Sequence, residues 1–104
     1  MREIGLAAFA AAHAEGATVI DVREPDEYVA GHVPGAQLIP LGRLQLHLSE
    51  LPRGRRIYLI CAAGARSFTA VDLLTPAGVD AVSVCGGTNA WRNAGNPVTS
   101  GIRP

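Results

Sequence analysis

Three short runs, Thr18–Val22, Ile57–Ile60 and Ala81–Val84, are apolar almost throughout, and stretches of helical character separate them. A strand with one face in water alternates polar and apolar residues; a strand without that alternation is buried on both faces. Strands of this kind alternating with helices argue for a parallel α/β sheet with helices packed on both sides. In such sheets ligands gather beyond the carboxyl ends of the strands. Cys61 directly follows Ile60 and stands in that position.

The intervening segments carry their own signals. Leu6, Phe9, Ala10 and His13 share one helical face, and Gly16 follows as a stop. No Ser, Thr or Asp caps this helix. Glu24–Tyr28 opens a second helix with Pro25 near its first position and acidic residues in its first turn, and Gly31 ends it. His32–Gly35 is a turn and Ala36–Ile39 a brief strand. Leu41, Leu44, Leu48 and Leu51 recur at helical spacing before Pro52 and Gly54. A helix is expected from Ser67 to about Leu74, stopped near Pro76. Gly86-Gly87 reads as a turn, and Asn89–Ala94 as a last short helix around Trp91.

The chain's 104 residues suit one domain, 1–104, which at this size buries roughly two-thirds of its unfolded surface. Met1 and a fraying tail, Thr99–Pro104, lead us to expect a chain consisting of this domain alone. Formal net charge is zero, and all nine basic residues are Arg. The one basic cluster, Arg53, Arg55 and Arg56, lies in a short connector and reads as a solvated loop, so no nucleic-acid partner is expected. No apolar run reaches the ~18 residues of a membrane span. Leu6–Ala14 lacks a cleavage-site pattern and reads as a helix of the mature protein. Two cysteines without a secretory signal imply reduced thiols in a cytoplasm.

The segment Cys61-Ala62-Ala63-Gly64-Ala65-Arg66-Ser67 joins strand to helix. Small side chains and a central Gly let consecutive backbone N–H groups turn toward one point, and the helix adds its positive end. This favours a thiolate over a thiol, and the thiolate is the nucleophilic form. Arg66 supplies either a charge at the rim or an ion pair that fixes the loop. A competing reading makes Cys61 an inert buried residue.

The loop resembles the active-site loop of rhodanese domains, in which a Cys opens a six-residue cradle. Three further segments carry the same resemblance in order. Asp21-Val22-Arg23 is similar to the family's D-V-R segment, and Gly31-His32-Val33-Pro34-Gly35-Ala36 to its G-H-I-P-G-A turn. Gly86-Gly87 with Ala90-Trp91 is similar to its late G-G-x-x-A-W segment. The resemblance implies a three-layer α/β fold with a mostly parallel central sheet of about five strands. It also implies the chemistry; no set of His, Cys and carboxylates has metal-ligand spacing, and no cofactor is expected. Cys61 takes a sulfur atom from a donor such as thiosulfate, holds it as a persulfide, and gives it to cyanide, a thiol or a protein cysteine. Ala62, Ala63, Gly64, Ala65, Arg66 and Ser67 form the substrate-binding cradle, whose amides act as an oxyanion hole does. The alternatives are a non-catalytic rhodanese-like binding or regulatory module and a sulfur carrier in a biosynthetic pathway. Cysteine phosphatases use C-x5-R, whereas Cys61 to Arg66 is C-x4-R, so phosphatase chemistry is disfavoured.

Other residues take simpler roles. Asp21 and Arg23 are expected to form a hydrogen-bonded scaffold, and Glu24, Asp26 and Glu27 to stabilise a helix start. The resemblance makes His32 a turn-stabilising residue rather than a base. His13 and His47 are expected to be partly exposed surface residues, and Trp91 a packing anchor. Cys85 departs from the family's usual pattern. The usual topology puts its strand beside that of Cys61, and the default reading is a small buried residue, with a resolving thiol as the alternative.

Overall fold

The computed structural model describes residues 2–104. Its strands are β1 (Glu3–Ile4), β2 (Thr18–Asp21), β3 (Gln37–Leu38), β4 (Ile57–Ile60) and β5 (Ala81–Val84). Its helices are α1 (Leu6–Ala14), α2 (Pro25–Ala30), α3 (Ala65–Leu74) and α4 (Gly87–Asn93). The five strands form one sheet in the order β1-β5-β4-β2-β3, and every pairing is parallel. The apolar run Ile57–Ile60 takes the central place, where both faces of a strand are covered.

Alternation along the strands divides the core in two. Ile20, Val22, Ile57, Leu59, Cys61 and Ala81 face α3, where Ala70, Val71 and Leu74 meet them together with Leu44 and Leu51. Val19, Ile60 and Val84 face the other way, against Phe9 of α1 and Trp91 of α4, with Val33 and Ala36. Helices therefore cover both faces, the three-layer arrangement expected from the apolar strands. Full burial of an aliphatic or aromatic side chain stabilises by about 1.5–3 kcal/mol, so each layer is held by several such contacts. Among the described residues no helix is long and apolar enough to cross a membrane.

The structure departs from the sequence reading at several elements. β1 was not expected: two residues, one exposed, are too few to show a period. It is fixed by β5, whose Ser83 and Cys85 N–H groups donate to the carbonyls of Arg2 and Ile4 at 2.9 and 2.8 Å. The leucine-rich stretch Leu41–Glu50 is a run of 3₁₀ turns rather than an α-helix; its ends close with i→i−3 bonds, Arg43 N–H to Pro40 O and Leu51 N–H to Leu48 O. α3 begins at Ala65, two residues before Ser67, because Gly64 adopts φ +114° and its carbonyl already accepts from Phe68. α4 begins at Gly87 rather than Asn89.

The tail is pinned rather than frayed. Thr99 forms a two-bond antiparallel bridge with His32, and Gly101 N–H donates to Val29 O at 2.9 Å. His32 is fully buried and stacks on Tyr28 with centroids 3.6 Å apart; its ring nitrogens lie 2.9 and 2.8 Å from the carbonyl oxygens of Tyr28 and Arg103. It is thus the turn-stabilising residue expected, and it also anchors the tail. His13 and His47 are partly exposed, as expected; His13 is also held, with Nε2 2.7 Å from Pro34 O and its ring 5.0 Å from that of Trp91.

Candidate active site

Cys61 continues the alternation of β4, so its side chain falls on the α3 face, where it is 1% exposed. Three hydrogen-bonding groups meet its sulfur. The Gly64 N–H donates to Sγ at 3.1 Å, the Ser67 N–H at 3.4 Å, and Ser67 Oγ lies 3.4 Å from Sγ. Burial, the largest single influence, pushes the Cys61 thiol up. The Ser67 hydroxyl and the amides of Ser67, Gly64 and Ala63 outweigh it and hold the thiol below its ordinary value. The site therefore shifts Cys61 toward the thiolate, through hydrogen-bond dipoles rather than a neighbouring base.

The loop keeps this shape because its back is pinned to α4. The carbonyls of Cys61 and Ala62 accept from the N–H groups of Thr88 and Asn89 at 2.8 and 3.0 Å. Gly87 makes the approach possible. A Cβ on it would lie 2.5 Å from Cys61 O and 2.6 Å from Ala62 O, and its φ is +58°. Gly86 makes the expected turn, and Gly87, at the start of α4, is the contact on which the loop rests.

Arg66 is held by an ion pair while still acting electrostatically on Cys61. Its Nη1 and Nη2 donate to Glu27 Oε1 and Oε2 at 2.7 and 2.8 Å, so α2 and the start of α3 are tied by a two-pronged pair. The Arg66 guanidinium holds the Glu27 carboxyl down at about 2, against burial that works the other way. The ion-pair alternative for Arg66 is the one observed. Ala62 and Gly64 are half-buried, while Ala63 and Ala65 are exposed and form the rim.

Residues 6–94 match the family of the rhodanese-like domain. The chain belongs to that family. Among its relatives, a sulfurtransferase of Allochromatium vinosum is 32% identical over 86% of this chain and 84% of its own. The putative sulfur carrier protein YrkF of Bacillus subtilis is 37% identical over 74% of this chain, which spans only 42% of that relative's length. The crystal structure of a rhodanese-related protein from Thermoplasma volcanium superposes with a TM-score of 0.89, at 34% identity, covering 99% of this chain and 100% of the other.

The rhodanese-like frame accounts for the remaining residues singled out in the sequence. Asp21 and Arg23 form a buried pair at 2.8 Å, and Arg23 also donates to Gly31 O at 2.8 Å. This ties the end of β2 to the turn after α2, as a scaffold pair should. Glu24 and Glu27 cap α2 reciprocally, as the acidic helix start implied. The ion pair expected of Arg66 is with Glu27, a partner the sequence did not name. Trp91 is 3% exposed and its indole N–H donates to Pro97 O at 2.7 Å. Cys85 corrects the default reading: it is exposed at the end of β5, not a buried filler. Both cysteines are free, although their strands are neighbours. Ser83 was passed over in the sequence, and it lies 2.7 Å from Ser67 Oγ.

Proposed function

We propose that this rhodanese-like chain is a sulfurtransferase that works through a persulfide on Cys61, with the 61–67 loop as its substrate cradle. The observation that carries the reading is the meeting of the Gly64 and Ser67 amides and the Ser67 hydroxyl on one buried sulfur. A thiolate so held is a nucleophile with no need of a base. With thiosulfate as donor, the Cys61 thiolate attacks the outer sulfur, the S–S bond of thiosulfate breaks, and sulfite leaves with the bonding pair. The negative charge then sits on the terminal sulfur of the persulfide. Cyanide, a thiolate or a protein cysteine attacks that sulfur, and the Cys61 thiolate leaves. No proton, metal or redox partner enters the balance of the thiosulfate–cyanide cycle.

The cradle's amides supply the electrostatic stabilisation at both steps, because negative charge stays within the loop throughout. Arg66, already matched by Glu27, contributes by fixing the loop. The small exposed rim of Ala63 and Ala65 leaves room for a bulky acceptor such as a protein cysteine. The similarity to a protein named as a putative sulfur carrier fits the same chemistry with a protein donor and acceptor. Two free thiols suit a reducing cytoplasm.

The test is sulfur transfer from thiosulfate to cyanide by purified protein, followed as thiocyanate. Turnover should vanish in Cys61→Ser while the urea unfolding midpoint stays within the range of a conservative substitution. Wild-type rates in Cys61→Ser would overturn the reading.

A further inference from the structure

Ser83 is the polar exception on β5, a strand whose four residues are all buried. It pairs in register with Leu59, two residues before Cys61. Its hydroxyl lies 2.7 Å from Ser67 Oγ, and Ser67 Oγ lies 3.4 Å from Cys61 Sγ. Gly64 O completes the group, 3.2 Å from Ser67 Oγ and 3.5 Å from Ser83 Oγ. Ser67 and Ser83 are both 0% exposed, so their hydroxyls satisfy each other and the sulfur instead of bonding bulk water.

We propose that Ser83 is a positioning residue for the Cys61 thiolate, acting through Ser67 as a two-hydroxyl relay that reorients as charge leaves and returns to Sγ. The protonation state of the sulfur sets the direction of each bond. When Sγ is a thiolate it can only accept. Ser67 O–H then donates to Sγ, and Ser83 O–H donates to Ser67 Oγ. Donation from Ser83 polarises the Ser67 hydroxyl and strengthens its bond to sulfur. When the charge moves out to the terminal sulfur of a persulfide, Sγ no longer demands a donor. Ser67 O–H then turns to Gly64 O, which it also reaches in the present geometry. Each state gives both hydroxyl protons an acceptor, and no heavy atom has to move. Without Ser83, the Ser67 hydroxyl loses its polarising donor, and its bond to the thiolate weakens.

The charged groups on the elements around the cradle are the Arg66–Glu27 pair of α3 and α2, the buried Asp21–Arg23 pair at the end of β2, Asp72 of α3 paired with Arg2, Asp26 of α2 and Arg92 of α4. Of these, Arg66 acts electrostatically on Cys61 and is common to every Ser83 variant. The thiol of Cys85, at the end of β5, is exposed.

The consequence for turnover rests on the sulfurtransferase reading, but the relay itself is read by alkylation, which needs no sulfur donor. In a Cys85→Ser background, iodoacetamide rates at Cys61 are measured against pH for Ser83→Val, Ser83→Ala and Ser83→Thr, with urea unfolding as the check on folding. Val and Thr have nearly the same shape and differ in the hydroxyl. Loss of one hydrogen bond relayed to a charged group predicts alkylation about three- to tenfold slower at pH 7 for Val and Ala, with a midpoint at higher pH. Thr should restore most of the wild-type profile. Profiles for Val and Ala that overlay the wild type would overturn the relay and leave the sulfurtransferase reading standing. Equal displacement for Thr and Val would also overturn it, by assigning the effect to packing. A wild-type profile without sulfur transfer would defeat only the proposed activity.

Discussion

Gly87 stands against the back of the Cys61 loop so closely that a Cβ on it would lie 2.5 Å from the carbonyl oxygen of Cys61. The start of α4 and the Cys61 loop are thus built as one piece. The two carbonyls facing α4 are bonded by Thr88 and Asn89, which leaves the following amides free to turn toward the sulfur.

Gly87→Ala should therefore damage both stability and the cradle. A side chain at positive φ costs about 1–2 kcal/mol and forced overpacking about 1–3 kcal/mol more. Gly95→Ala is the control, since Gly95 also has positive φ (+87°) but open space around its missing Cβ. It should show the conformational cost alone and keep its sulfur transfer. Urea midpoints and thiocyanate production on both variants check this. Equal losses in the two would mean that the close approach has no role.

The Arg66–Glu27 pair carries a pH signature. Arg66 and Glu27 are 39% and 32% exposed, so solvent screening limits their contribution to about 0.5–1 kcal/mol at pH 7. Glu27 is held at about 2, below its ordinary 4.5, so folding is favoured while the carboxylate is charged. That contribution is complete above about pH 4.5 and fades as pH falls toward about 2. A double-mutant cycle with Glu27→Gln and Arg66→Gln, run in urea at pH 7 and at falling pH, should show the coupling shrink over that window. Coupling that grew with acid would contradict the assignment.

Much of this was legible in the sequence where the determinants are local. The unbroken apolar run of β4 fixes its central place, and the small loop after Cys61 allows amides to gather. The D-V-R and G-H-V-P-G-A segments each form contacts within a dozen residues, as with Arg23 and Gly31. What stayed hidden depends on distant partners. Glu27 reads as a helix-start residue until the fold brings Arg66, 39 residues later, onto it. Ser83 lies inside an apolar strand, where one polar residue on a face otherwise packed with Leu59 and Ala81 is the only local signal of its role. β1 is too short to carry any period, and the pinned tail depends on His32, 71 residues away from Arg103.

Loop length separates two chemistries that share a cysteine cradle. With Arg66 five positions after Cys61 rather than six, and its guanidinium paired with Glu27, the loop is shorter than a phosphatase cradle and its arginine is already engaged. Wild-type protein should not hydrolyse small aryl phosphates at a meaningful rate. One residue inserted between Ala62 and Ala65 should lower sulfur transfer by at least an order of magnitude, since a misplacement of about 1 Å can cost a hundredfold. Both activities can be assayed on the same preparations. Cys61-dependent phosphatase turnover in the wild type would show that the cradle binds a different oxyanion from the one argued here.

The most direct test of the account is the mass of the protein itself. Protein purified without reductant is incubated with thiosulfate, and intact-mass and peptide spectra are recorded before and after cyanide. The account predicts one added sulfur, on the peptide carrying Cys61, present in Cys85→Ser, absent in Cys61→Ser, and removed by cyanide as thiocyanate. No added sulfur, or a sulfur on Cys85 that persists in Cys61→Ser, would contradict it.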